Sequence, residues 1–549
     1  MKRFVLSDVK DQVFDIAIIG GGITGAAAAR DAALRGLSVV VVEKTDFASG
    51  ASSRSTKLLH GGVRYLQSFE FKLVREACRE RELMLKLAPH LAHVRPFIYT
   101  LYKGDPESMW LLNIGLSIYD LFSGSPLKRR HRMLKAQKIV AYEPALNAQD
   151  LIGGGWYYDF LTDDARLTME TLKSASAAGA QIANYMEATG FVMQGTRISG
   201  LYVVDHITGE RGTIRARQVI NAAGTWVDSV RHLEEGVTGR IVRPTKGVHI
   251  VVRKKDFPLN HAVFIRSPRD NRLIWPIPAL DEELIYIGTT DTDYDESIDK
   301  VTATKEDIEY LLEAANHALP EAHLGYEHIV GTWAGLRPLI KPDGNLATSS
   351  VSREHQIFTS PGGLLTIAGG KLTTARVMGL HVVQAAIKLL GKNYGINGVP
   401  ASRTHQIPLS GGDAGALFAA QRQARELAVA VKVKERWLSH YGSNFMELSA
   451  IASADPAAAQ DLGEGHITPA EVRYALRDEM AMTVSDFFTH RASIFYWQPD
   501  GGLAVAEKVA AEMGEVLHWD EDEQKRQVED YRDWVRANRF DASSIQEAP

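Results

Sequence analysis

Residues 14–44 read FDIAIIGGGITGAAAARDAALRGLSVVVVEK, and this stretch decides the fold. Ile16 to Ile19 are aliphatic and mostly β-branched, as a parallel strand buried on both faces requires. Gly20, Gly22 and Gly25 follow at once in the spacing G-x-G-x-x-G. Ala26 to Leu34 then form a small-residue helix that Gly36 can end, and Ser38 to Val42 a second apolar strand closed by Glu43. In such a unit the first glycine allows a sharp turn, the second lets a pyrophosphate approach the backbone, and the third lets helix and strand pack closely. The helix N-terminus offers N–H groups and partial positive charge to that pyrophosphate. Glu43 lies eighteen residues past Gly25, where an acid can accept hydrogen bonds from ribose hydroxyls. The unit predicts a bound dinucleotide and does not choose between NAD and FAD.

The rest of the chain bounds what surrounds this unit. It has 549 residues, 45% hydrophobic and 23% charged, enough for several domains around a large core. A net charge of −5 gives no general reason to expect nucleic acid. Cys78 is the one cysteine, which excludes an intrachain disulfide and a thiolate-rich metal site; no metal is expected. No secretory signal is evident, and the uncharged runs fall short of the about 20 apolar residues that cross a bilayer. A cytoplasmic protein, soluble or peripheral on the inner face of the membrane, is expected.

After Glu43 the chain turns polar, then carries Lys57, His60, Arg64 and Tyr65 in SSRSTKLLHGGVRYLQ, residues 52–67. This segment, with the glycine unit before it, resembles the FAD-dependent glycerol-3-phosphate dehydrogenases of the aerobic, respiratory type. They belong to the wider flavoprotein group that contains D-amino-acid oxidase. The resemblance continues in order through TDDARLTMETL (162–172), NAAGTWVD (221–228), KGVHIVV (246–252), IGTTDTDY (287–294), GLRPL (335–339) and GGKLTTAR (369–376). It implies an α/β fold: a Rossmann-like FAD-binding domain, an antiparallel-sheet substrate domain and a C-terminal helical domain. The first two interleave over residues 1–400, with FAD-binding parts mainly at 14–90, 156–230 and 355–395 and substrate parts mainly at 91–155 and 235–350. Residues 401–549 form the helical part, a cap or an assembly domain, and a homodimer is left open.

The resemblance also implies a site. Cofactor contacts would come from Gly20, Gly22, Ile23, Thr24, Gly25, Glu43, Lys44, Ser52, Ser53 and Leu58. Further contacts would come from Ala188, Gly224, Trp226, Gly369, Gly370, Lys371, Leu372 and Thr373. Arg64, Tyr65, Arg337 and Lys371 would bind glycerol 3-phosphate, whose charge calls for fixed cations. His60 and His249 are candidate proton acceptors, and Arg64 could instead stabilise an alkoxide. The implied reaction gives dihydroxyacetone phosphate, with electrons passed to a membrane quinone or, alternatively, to oxygen as in an oxidase that makes hydrogen peroxide.

Local patterns complete the reading. Residues 68–90 predict a charged amphipathic helix with a solvated face, ended by Pro89. Thr162 is placed as the cap of a helix over 163–178. Residues 416–442 read as helical throughout. MWLLNIGLSIYDLF (109–122) is apolar nearly all round, and KRRHRMLKAQK (128–138) carries six Lys or Arg in eleven residues. By themselves these suit a core helix beside a solvated basic surface; with the resemblance they suit contact with anionic lipid.

Overall fold

Ile16, Ala17 and Ile18 are fully buried in the strand Val13–Ile19, at the centre of a parallel sheet. Arg211–Asn221 and Val39–Val42 flank it, with Leu365–Ala368 and Gln181–Ala183 outside them. Gln356–Thr359 and the hairpin Met186–Gln194/Arg197–Asp205 extend this sheet antiparallel. The alanines of the helix Ile23–Leu34 let it lie close on the strands, and Gly36, in the left-handed region at φ 82°, follows its end. The computed structural model describes residues 1–341, 354–463 and 465–540; the expected substrate stretch at 342–350 and the tail 541–549 lie outside them.

A second sheet carries the long strands Val242–Arg253, Ile329–Ile340, His93–Tyr102 and Leu151–Leu161. Its pairs are antiparallel except Ala262–Arg266 with His93–Tyr102. The segment boundaries differ from the sequence reading here. Leu58–Leu59, expected in the cofactor part, pairs with Leu161 and Phe160 in this second sheet, and Leu151–Leu161 runs unbroken across the boundary expected at 155/156. The chain thus crosses from one sheet to the other directly after the polar segment 43–57.

The C-terminal region is helical, from Ala414–Glu426 to Glu521–Asn538. Its first half has a core of its own, around Trp437, Tyr441, Phe445 and Leu448, whereas its second half shares one with the sheet. Phe487, Phe488, Tyr496, Val509 and Tyr531 join Trp333, Tyr286 and Tyr99 of the second sheet in one buried apolar cluster.

Several local expectations change. The helix at 163 is capped by Asp163, whose carboxylate accepts from the Arg166 amide at 2.9 Å; Thr162 stands one residue outside. Residues 416–442 are two helices, Ala414–Glu426 and Val431–Tyr441, because the linker turns Leu427 and Val429 onto the cluster around Trp437 and Phe445. The helix Phe71–Leu87 is not merely a solvated charged face. Arg81 is buried and donates to Asp159 at 2.6 Å, while Glu80 accepts both prongs of Arg376.

Candidate active site

The glycine turn opens onto a cavity of 450 Å³ that runs between the two sheets. Gly20 sits at φ 112°, and a Cβ there would meet the Ala222 carbonyl oxygen at 2.7 Å. At Gly25 a Cβ would stand 1.9 Å from the Gly20 carbonyl oxygen. A Cβ at Gly22 would meet only the Ser52 hydroxyl, at 3.1 Å, so the backbone stays open toward the cavity. Ser52 accepts from the Ile23 amide at 3.0 Å, which ties the helix start to the segment opposite. Glu43 anchors the turn by accepting from the Gly21 amide at 2.7 Å and the Thr45 amide at 3.0 Å. This cradle suits a dinucleotide: bare glycine backbone, a helix N-terminus and an acid at the second strand.

The residues named from the sequence come together around this cavity, with three exceptions. Gly25 is packed beneath the turn. Ser53 is fully buried behind the wall, where its carbonyl accepts from the Lys57 ammonium at 3.0 Å. Arg64 lines a small adjoining cavity with His60, Val63 and Trp275. At the far end the Gly369–Gly370 turn, both residues at positive φ, presents Lys371 ahead of the helix Ala375–Tyr394. Ala188, Gly224 and Trp226 line the same space.

Positive charge gathers where Lys371 and Arg64 flank one ring. The Lys371 ammonium lies 3.8 Å from the centre of the Tyr65 ring and the Arg64 guanidinium 5.2 Å from it. Arg337 faces the cavity as well, held by Asp291 at 3.0 Å and by the Thr289 hydroxyl at 3.0 Å. The fork is therefore set in direction before any anion arrives.

The two histidines differ in setting. The His249 ring stacks on Trp333 with centres 4.7 Å apart, and its Nε2 is 3.1 Å from the Thr56 hydroxyl. Burial, then the neighbouring charges of Arg337 and Lys57, hold its imidazole well below the usual 6.5. It is neutral at physiological pH. His60 packs edge-on against Trp275, and its backbone is fixed on both sides by the Thr373 hydroxyl.

Sequence reasoning missed Arg54, Thr56 and Asp291. Arg54 and Thr56 line the cavity, and Asp291 aims Arg337. Each lies inside a motif that carries the resemblance, SSRSTK or IGTTDTDY. Their types alone read as an ordinary polar loop and an ordinary strand end.

Residues 15–385 match the family of FAD-dependent oxidoreductases, and residues 402–524 match the C-terminal domain of alpha-glycerophosphate oxidase. The chain is 38% identical over 531 residues to the aerobic glycerol-3-phosphate dehydrogenase of Staphylococcus haemolyticus, covering 95% of this chain and 94% of that protein. It is 37% identical over 543 residues to the enzyme of the same name from Staphylococcus aureus strain USA300, covering 97% and 96%. Among solved structures, glycerol-3-phosphate dehydrogenase from Bacillus halodurans, complexed with FAD, superposes with a TM-score of 0.80 at 33% identity, over 97% of this chain and 96% of that one. L-proline dehydrogenase from P. horikoshii shares the fold at 20% identity, with a TM-score of 0.54 over 71% and 96%.

Proposed function

Because this chain belongs to the FAD-dependent oxidoreductases, in the branch that carries the C-terminal domain of alpha-glycerophosphate oxidase, we propose that it oxidises sn-glycerol 3-phosphate to dihydroxyacetone phosphate and delivers the electrons to a membrane quinone. The cations gathered around Tyr65 carry this reading. A chain of net charge −5 brings Lys371 and Arg337 to the lining of a dinucleotide cavity and Arg64 to the small cavity adjoining it, and a phosphate monoester dianion balances such cations.

Bound FAD supplies a two-electron hydride acceptor. The protein's part is to place the substrate carbon and to receive the hydroxyl proton. Arg337 and Lys371 hold the phosphate and so fix which carbon faces the cofactor. His60 and His249 are the proton acceptors within the site. His249 is held neutral and can accept a hydrogen bond from the hydroxyl throughout the physiological range. Arg64, beside Tyr65, offers positive charge to the oxygen as its proton leaves.

A membrane acceptor is supported by the outer surface of the helix Met109–Ser123. Leu112, Leu116 and Tyr119 face inward, but Trp110 and Leu121, eleven residues apart and so on one face, are 71% and 77% exposed. Leu127 is 79% exposed just beyond. No helix among the described residues is long and apolar enough to cross a membrane, so contact would be with the lipid surface.

Anaerobic addition of glycerol 3-phosphate should bleach the flavin, and a long-chain quinone should restore its colour faster than dissolved oxygen does. Failure to bleach would overturn the substrate assignment. Faster recovery with oxygen would assign the oxidase reaction instead.

A further inference from the structure

The polar segment 43–57 forms one wall of the cofactor cavity, yet it contains neither helix nor strand. Backbone hydrogen bonds pin it near its two ends, at Glu43, Thr45 and Ala48 and again at Lys57, and side chains add further ties between and behind these points. Residues 44, 45, 49–52 and 54–56 line the cavity, while Asp46, Ser53 and Lys57 are turned away and buried at 3%, 0% and 3% exposure.

What Asp46 meets behind the wall comes largely from the helical domain. The Arg491 guanidinium donates to both its oxygens, at 2.7 and 2.8 Å, and His490 Nδ1 is 2.7 Å from the same carboxylate. Successive residues on an α-helix do not normally face one target. Here Phe487–Arg491 is a π-turn, whose wider winding brings both side chains to one side. Arg491 also donates through Nε to the Glu479 carbonyl at 2.9 Å, which fastens the π-turn to the end of the helix Pro469–Glu479. Lys57, at the other end of the wall, lies 4.1 Å from the centre of the Tyr496 ring. Arg54, on the cavity side, reaches across to the Trp534 ring at 5.7 Å.

Asp46, Asp486 and His490 could in principle be read as a metal-binding trio, since they offer ligand atoms within 4.8 Å of one another. The two-pronged Arg491 already occupies Asp46, and a second cation at that carboxylate would be repelled.

We propose that the helical domain positions the cofactor, with Arg491 as the positioning residue that fixes the wall segment through Asp46. This gives the C-terminal domain a role in flavin retention. It rests on the cofactor reading but not on the identity of the substrate, and the yellow colour of the parent protein tests that reading separately.

The test is the rate at which purified holoenzyme releases FAD on dilution, followed by the rise in free-flavin fluorescence, with melting temperature recorded in parallel. Arg491→Met should release FAD roughly tenfold faster than the parent, a coupling of the size found between contacting residues. Asp46→Asn/Arg491→Met, which removes both charges of the pair, should also release it faster, and Arg491→Lys should fall between. Val509→Ala, in the apolar cluster that the helical domain shares with the second sheet and outside the cavity lining, serves as the reference for plain destabilisation. Release from it should match the parent even where its melting temperature falls as far as that of Arg491→Met. Equal acceleration in Val509→Ala would overturn the proposal, as would parental release rates in both Arg491→Met and the double variant.

Discussion

Arg337 is aimed by Asp291, and the pair gives the anion pocket an asymmetry that a mutation exposes. Arg337→Ala removes a cation and leaves a carboxylate beside the position of the phosphate. We expect a loss on the order of 2–4 kcal/mol in transition-state binding, read as a fall in kcat/KM for glycerol 3-phosphate. Glycerol, which lacks the phosphate, should be a poor substrate for the parent and lose little on mutation. An equal loss for both would count against this pocket. His249 makes a different prediction. Burial and two neighbouring cations depress its pKa, so the folded protein takes up no proton there when the unfolded chain does, just below 6.5. Its contribution to stability is therefore full above 6.5 and declines as the pH falls further. Because it does not titrate near neutrality, the acidic limb of the kcat/KM profile should keep its midpoint in His249→Asn while the plateau falls. A displaced midpoint would show that this imidazole is the titrating group.

At the scale of elements, the glycine turn is the most legible part because its constraints are local. Strand, turn, helix and acid lie within one run of sequence, and each glycine is needed for a reason that spacing reveals. Gly25→Ala should place a Cβ 1.9 Å from the Gly20 carbonyl oxygen. Backbone cannot give way there without moving the turn, so this variant should be purified with little or no flavin. A full complement of FAD, measured by absorbance after denaturation, would refute that. The wall segment is less legible. Its cavity-side residues sit in recognisable motifs, but the partner of Asp46 is 445 residues away. Arg491 carries no local sign of burial: an arginine on a helix reads as solvated until tertiary structure covers it. Arg81 misleads in the same way, since its charge suggests the outside and its bond to Asp159 places it inside. Leu151–Leu161 shows the same limit for strands, because periodicity reports a strand but not the sheet that it joins.

At the scale of the whole molecule, the basic run adjoins the helix with the exposed apolar side chains: His131 bonds Asp120 and Asn113 of Met109–Ser123. Of the basic run, Lys128, Arg130, Arg132, Lys135 and Lys138 are exposed. Arg129 is paired with Glu82 at 2.8 Å and belongs to the fold. The test of lipid contact should therefore spare it. Lys128, Arg130 and Lys135, all replaced by Gln, should weaken binding to anionic vesicles, at about 1 kcal/mol for each charge near the surface. The parent's binding should itself fall with added salt. Turnover with a long-chain quinone in vesicles should drop, whereas turnover with a soluble dye should not, because none of the three lines the cavity. Unchanged vesicle binding would reduce these residues to an ordinary solvated face.

The long separation of Asp46 from Arg491 has a consequence for biosynthesis. A ribosome adds about 5–20 residues per second, so roughly 20–90 s pass between the emergence of one partner and the other. In the earlier part of that interval the Val13–Ile19 strand also lacks its neighbour Arg211–Asn221, and for longer the parallel sheet lacks Leu365–Ala368. The glycine turn is thus made first and completed last. Flavin capture becomes a late event of synthesis, and nascent chains arrested before the π-turn should carry the nucleotide motif without holding the nucleotide.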